Sequence, residues 1–221
     1  SLWRFCYTFC MKIGIFDTGT GGKLVAKRLK KLLPQHLYIT VIDREHAPYG
    51  NRSPEEIIAL TDAAIQPLLS CDIIVLACNT ATTNAISSLR QRYPDVRFMG
   101  FEPMIKSAAA MTKSHHITLL ATNATKHSQR LRALISEYAT GVRIDTPDTH
   151  AWAQMIDQGL ADDITLDEVS TSVADGSDVI VLGCTHYLAL KRRLQRLFPQ
   201  CRILEPTAII AKRISDFAKL A

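Results

Sequence analysis

The chain has 221 residues, 47% hydrophobic and 21% charged, a globular composition that excludes extensive disorder. Twenty-six Lys and Arg against 21 Asp and Glu leave a net charge of +5, too mild an excess to indicate direct nucleic-acid binding. The length suits one or two domains with a real core, and no run reaches the roughly 18 apolar residues of a membrane helix.

Residues 1–10 (SLWRFCYTFC) are apolar, but Lys12 follows early and no small-residue cleavage site is present. They read as a leader outside the fold, with Met11 the expected start. From there short apolar runs alternate with amphipathic ones. Strands are expected at Lys12–Phe16, Leu37–Ile42, Asp72–Ala77, Val96–Gly100, Ile117–Ala121, Gly141–Asp145, Asp178–Gly183 and Arg202–Leu204. Helices are expected at Gly22–Leu33, Pro54–Ser70, Thr80–Tyr93, Pro103–Thr112, Lys126–Tyr138, His150–Gln158, Leu166–Ala174, Tyr187–Phe198 and Thr207–Leu220. Ser53-Pro54-Glu55-Glu56 supplies a cap, a first-turn proline and acids at the positive helix end. The alternation predicts an α/β fold with mostly parallel sheets covered on both faces. The basic clusters Lys27, Arg28, Lys30, Lys31 and Lys191, Arg192, Arg193, Arg196 fall in amphipathic helices and read as solvated faces.

The chain echoes itself. Asp72-Ile-Ile-Val-Leu-Ala-Cys78 returns as Asp178-Val-Ile-Val-Leu-Gly-Cys184, 106 residues later. Ile13-Gly-Ile-Phe-Asp17 returns as Ile117-Thr-Leu-Leu-Ala121, 104 residues later. Two copies of one α/β unit explain both, and predict two pseudo-symmetric domains with a cleft between them. One is expected to cover residues 11–100 with the final helix, 207–221, packed back on it; the other covers 101–206.

Six cysteines are scattered without ligand-pair spacing, so a metal site is not expected and the thiols read as reduced and cytoplasmic. Ligands of parallel sheets bind beyond the carboxyl ends of the strands. Cys78 and Cys184 stand there at equivalent ends of the two repeats, each before an expected helix whose N-terminus should lower a thiol pKa from about 8.5. Two thiols facing one cleft can take a proton from one face of a carbon and return one to the other, inverting a stereocentre without a cofactor. Asp17 and His186 are the candidates to tune Cys78 and Cys184. Asp17-Thr-Gly-Thr-Gly-Gly22 matches neither a phosphate loop nor a dinucleotide fingerprint. It reads as a tight turn whose N–H groups suit a carboxylate. Pro48-Tyr49-Gly50 forms a second turn, and Thr18, Asn79, Thr80, Thr122, Thr125 and Thr185 offer polar groups just after strands.

On these residues the chain resembles the glutamate racemase branch of the aspartate/glutamate racemase superfamily. The matching pieces are FDTGTGG (16–22), PYG (48–50), ACNTAT (77–82), FEPM (101–104), LLATNAT (119–125) and GCTHY (183–187), in the family's order. The resemblance implies two α/β domains with the active site between them, and Cys78 and Cys184 as acid/bases assisted by Asp17 and His186. It implies that an amino-acid substrate is held by Thr18, Tyr49, Gly50, Asn79, Thr80, Thr122, Thr125 and Thr185. It implies no cofactor and D-glutamate made for peptidoglycan in a bacterial cytoplasm; a homodimer is the expected assembly. Thr18 stands where serine is usual, Leu188 replaces a common proline, and Glu205 occupies the place of an Asp-Ser pair. Ile156-Asp157-Gln158-Gly159 aligns with a stretch that often carries glutamate, making Asp157 a further assisting carboxylate. Alternatives are a racemase of another acidic amino acid such as aspartate, and a non-catalytic binding or regulatory relative. The missing phosphate loops disfavour a nucleotide-binding protein.

Overall fold

The structure, a computed structural model, describes residues 10–219. Except for Cys10, the leader assigned to residues 1–10 lies outside the described residues, as does Leu220, the last residue of the expected final helix.

The two repeats fold into two four-stranded sheets with one strand order. In the first half, β1 (Lys12–Asp17), β2 (Leu37–Ile42), β3 (Ile73–Leu76) and β4 (Phe98–Gly100) lie in the order β2-β1-β3-β4. In the second half, β5 (His116–Ala121), β6 (Arg143–Asp145), β7 (Val179–Gly183) and β8 (Arg202–Leu204) lie in the order β6-β5-β7-β8. Every pairing is parallel. β3, β5 and β7 are buried along their whole length, and in β3 and β7 the sequence accordingly reads as an unbroken Val/Ile/Leu run instead of an alternating one.

The first half carries α1 (Thr20–Leu32), α2 (Pro54–Ala64) and α3 (Asn79–Arg92). The second carries α4 (Ile105–Met111), α5 (Asn123–Lys126), α6 (Gln129–Tyr138), α7 (Trp152–Asp157), α8 (Asp167–Ala174) and α9 (Lys191–Leu197), and α10 (Thr207–Ala218) closes the chain. Three expected helices are interrupted. The one from Pro54 ends at Ala64 and tightens into a 3-10 turn, Gln66–Leu68, because Pro67 has no N–H and disfavours helical backbone at the residue before it. Its N-terminus has the anticipated box: Ser53 accepts from the Glu56 N–H and Glu56 accepts from the Ser53 N–H. The helix expected over Lys126–Tyr138 breaks at Ser128, whose hydroxyl caps α6 by accepting from the Leu131 N–H. After Cys184 comes a 3-10 segment, Thr185–Leu190, before α9 begins.

One apolar core runs through both halves. It joins Ile13, Val25 and Leu29 to Ile180, Leu182, Tyr187 and Leu194, and includes Ile210 and Ile214 of α10. Helix α10 packs against α1, and the Arg97 guanidinium lies over its Phe217 ring at 4.3 Å. We propose on these contacts that α10 belongs to the first domain and that the boundary falls at residue 100. The basic faces of α1 and α9 are tied at one point: Arg28 and Lys191 both reach the buried Glu205 carboxylate, at 3.2 and 3.1 Å. Among the described residues no helix is long and apolar enough to cross a membrane.

Candidate active site

The carboxyl ends of β1, β2, β3, β5 and β7 surround a cavity of about 400 Å³. Its wall includes Thr18, Tyr49, Gly50, Cys78, Asn79, Thr80, Thr122, Asp157, Cys184, Thr185 and His186. Both cysteines therefore face one space, from equivalent ends of the two sheets. Cys71 and Cys201 do not line it, and all the described cysteines are free thiols.

Cys78 is the N-cap of α3; its Sγ accepts from the Ala81 N–H at 3.5 Å and from the Thr18 hydroxyl at 3.6 Å. The expectation that a helix end lowers this thiol's pKa is corrected here. Burial, reinforced by the nearby Asp17 charge, pushes Cys78 up to about 12 despite those two donors. Removal from water outweighs the helix end because a buried thiolate loses its whole hydration shell. Cys78 is therefore a thiol near neutral pH.

The second thiol has a different setting. Cys184 Sγ lies 3.6 Å from Nδ1 of His186, and Nε2 of the same ring lies 3.2 Å from an Asp157 carboxylate oxygen. Burial alone would lower the imidazole pKa, but the Asp157 and Cys184 partners raise it to about 11. Both partners favour the imidazolium form of His186, which donates on both sides. Burial opposes ionisation of Asp157 as well, but His186 and Thr20 bring it down to about 2. Thr20 gives the carboxylate a 2.6 Å hydroxyl bond and its backbone N–H. The shorter carboxylate at position 157 therefore joins the Cys184 side.

Asp17 is fully buried, and its pKa is raised by that burial. It makes no hydrogen bond to Cys78 among the described residues. Its carboxylate accepts from the N–H groups of Thr18 and Gly19 and, across the halves, from the Thr185 hydroxyl at 2.9 Å. It bears on Cys78 through its charge and holds the Cys184 loop by a bond. The reading of the glycine-rich turn as a carboxylate cradle is corrected in the same way. Its N–H groups go to the protein's own Asp17 and Asp157, since both carboxylates sit within reach of the helix start. The glycines allow this approach: a Cβ at Gly21 would fall 2.6 Å from Thr185 backbone and side-chain atoms.

On the opposite wall, Thr80 and Thr122 hydroxyls meet at 2.8 Å across the halves. Thr125 is fully buried behind them, bonded to Thr122 at 3.1 Å, and does not line the cavity. Tyr49 is buried, and its hydroxyl donates to Asp43 at 2.7 Å, which fixes the ring beside Gly50. Asn79 is 2% exposed, yet neither its amide nitrogen nor its oxygen has a partner among the described residues. A buried amide left unpaired is costly; in the cavity wall it offers one donor and one acceptor group to a ligand.

Several residues here were not anticipated. Asp43 follows the end of β2 as Cys78 follows β3, so the strand-end rule could have found it. Arg44, Thr149, His150 and Gln154 also line the cavity. The last three come from the segment before and within α7, where nothing in the local pattern marks them.

The family model for Asp/Glu/Hydantoin racemase matches residues 23–214. A glutamate racemase of Herpetosiphon aurantiacus is 38% identical over 209 residues, 91% of this chain and 82% of that protein. One of Ectopseudomonas mendocina is 35% identical over 210 residues, 91% of this chain and 80% of that protein. Among solved structures, Escherichia coli glutamate racemase in complex with L-glutamate and the activator UDP-MurNAc-Ala superposes with a TM-score of 0.82. That match has 29% identity and covers 95% of this chain and 83% of the other. The two parallel sheets, the facing cysteines and these matches, to relatives that are amino-acid racemases, together show that the chain belongs to the Asp/Glu/Hydantoin racemase family.

Proposed function

We propose that this protein interconverts L- and D-glutamate by transfer of protons between the substrate and two thiols, Cys78 and Cys184. The observation that carries the reading is that both sulfurs line one cavity from opposite halves while each has its own electrostatic partner. As a thiolate, one sulfur removes the α-proton. The electron pair left on the α-carbon spreads into the carboxylate, and the other thiol delivers its proton to the opposite face. One C–H bond breaks, one forms, and the two sulfurs exchange ionisation states. The His186 imidazolium stabilises negative charge on Cys184; Ala81 N–H and the Thr18 hydroxyl do so on Cys78. The unpaired Asn79 amide, with Thr80, Thr122 and Thr185, supplies polar groups for the substrate, and Thr125 supports Thr122 from behind. The D-glutamate would serve peptidoglycan in the bacterial cytoplasm, and the assembly is a homodimer.

Chiral analysis of L-glutamate and L-aspartate incubated with the protein tests this reading. L-glutamate is expected to yield D-glutamate, and to go on doing so after dialysis against a chelator and a carbonyl trap. Turnover of aspartate alone would move the assignment to that substrate. No turnover of either would leave a binding protein.

Asp157→Asn tests the positioning of His186. Without the carboxylate the imidazolium loses its strongest support, so the alkaline limb of the rate profile moves to lower pH and kcat falls, by about tenfold or more. The stability signs follow from the two shifts. His186, raised above its ordinary 6.5, contributes stability fully present below 6.5 and lost as pH rises through about 11. Asp157, lowered from 3.8, contributes stability present above 3.8 and lost as pH falls through about 2. The Tm difference between wild type and Asp157→Asn should therefore be largest between about pH 4 and 6.5.

A further inference from the structure

We infer that Glu205 is a positioning residue for the racemisation: by drawing Arg28 of α1 and Lys191 of α9 onto one buried carboxylate, it sets how the segment carrying Thr185 and His186 lies against the first half of the cavity. The inference deepens the racemase reading above and rests on it. Three helices meet at this carboxylate. One oxygen accepts from Arg28 at 3.2 Å and from Lys191 at 3.1 Å; the other accepts from the N–H of Thr207, the first residue of α10, at 2.8 Å. The Glu205 side chain is 8% exposed, against 36% for Arg28 and 25% for Lys191. The carboxylate is therefore the buried centre on which two partly exposed cations converge. Water and salt compete weakly for bonds at such a centre, whereas they dissolve most of the gain of an exposed pair.

The two cations belong to the elements that build the Cys184 side of the cavity. At its N-terminal end α1 meets that side: Thr20 bonds Asp157, and Gly21 lies close against Thr185. Arg28 stands seven residues further along, about 10 Å down the helix. Lys191 directly follows the 3-10 segment Thr185–Leu190. Six residues is long for a 3-10 turn, whose hydrogen bonds are poorly aligned, so this segment depends on outside contacts for its position. It is pinned at both ends: Thr185 donates to Asp17 at 2.9 Å, and Lys191 is held by Glu205. Between the pins the packing is apolar, with Val25 and Leu29 of α1 in one core with Leu188, Leu190 and Leu194. Apolar contact is non-directional; it holds two elements together without fixing how far one slides along the other. Glu205 supplies that register and so keeps His186 on Cys184 and Asp157. Glu205 does not itself line the cavity, so it acts on kcat through His186 and leaves substrate binding alone.

The test compares wild type, Glu205→Gln, Arg28→Gln and Arg28→Lys, the first two also with Asp157→Asn. Glu205→Gln should lower kcat for L-glutamate about tenfold, with KM within about twofold. Arg28→Gln alters a partly exposed residue and should act in the same direction, so it carries the test if Glu205→Gln does not fold. Arg28→Lys keeps one charged donor and should restore most of the loss. Glu205→Gln combined with Asp157→Asn should be little slower than Asp157→Asn alone, because both act through one imidazole. Losses that simply multiply would overturn the proposal, since independent sites behave that way. NMR titration of the His186 ring reads its position without turnover. From about 11 in wild type, it should titrate at lower pH in Glu205→Gln as the Asp157 contact loosens. An unmoved titration, or a lowered Tm with unchanged kcat, would overturn the proposal by leaving Glu205 a purely structural role. Failure of the racemase reading looks different: wild type would turn over no acidic amino acid, while the His186 titration would still respond to Glu205→Gln.

Discussion

Cys78→Ser and Cys184→Ser are each expected to abolish racemisation. Serine keeps nearly the shape of cysteine, so each variant should fold. Its hydroxyl is far too weak an acid to form an anion comparable to a thiolate near neutral pH. Loss of either sulfur breaks the cycle, since one must take a proton while the other gives one. Cys71→Ser and Cys201→Ser lie outside the cavity and should keep full activity. In heavy water, wild type should convert L-glutamate to D-glutamate bearing deuterium at the α-carbon, while the recovered L-glutamate stays mostly protonated at early times. A single shared base would wash label into both enantiomers or return the original proton. Full racemisation by either serine variant would end the two-thiol mechanism. The asymmetry of the two sites adds detail: Cys78 is held as a thiol by burial and the Asp17 charge, whereas Cys184 adjoins an imidazolium.

Gly19→Ala should be nearly as damaging, for a steric reason. Gly19 has φ −161° and ψ −161°, extended backbone that alanine adopts without strain. The added methyl, however, would sit 2.1 Å from Nε2 of His186 and 3.0 Å from an Asp157 carboxylate oxygen. The imidazolium must move, and its links to Cys184 and Asp157 move with it. Displacement of a catalytic group by about 1 Å costs on the order of a hundredfold in rate. Overpacking should add a stability loss of about 1–3 kcal/mol. Gly141→Ala is the contrasting control. Its φ is +78° and no atom lies within 4 Å of the new methyl, so it should lose about 1 kcal/mol of stability through the left-handed backbone and keep its activity. Kinetics and thermal unfolding of the two variants side by side separate these effects. Full activity in Gly19→Ala would mean that the His186 position carries no weight in turnover.

Both predictions depend on features that were legible in the chain to different degrees. All eight strands stand within two residues of their expected positions; β3 and β7 were the plainest, because a parallel strand covered on both faces reads as a continuous apolar run. The repeat also showed through, since each half must rebuild the same buried β1- and β3-like strands. Cys78, Cys184, Asp17 and Thr122 were visible because parallel sheets put their ligand groups immediately after such strands. Helix ends were less legible. Pro67 and Ser128 interrupt helices that apolar spacing alone would continue, and the chain after Cys184 tightens into a 3-10 turn against α1.

What the linear chain determined, then, is the fold class, the duplication and the candidate residues at strand ends, all of which depend on local hydrophobic pattern and position. What only the tertiary structure decided is who touches whom and in what dielectric. Helix-end reasoning pointed to a lowered pKa for Cys78, but burial beside Asp17 raises it. The glycine turn looked like a site for a ligand's carboxylate, yet it closes on Asp17 and Asp157. Asp157 reaches His186 only because α7 folds against the loop after Cys184. Pairing and desolvation are properties of the assembled cavity, where residues more than a hundred positions apart share one space and little water, and no local pattern encodes them.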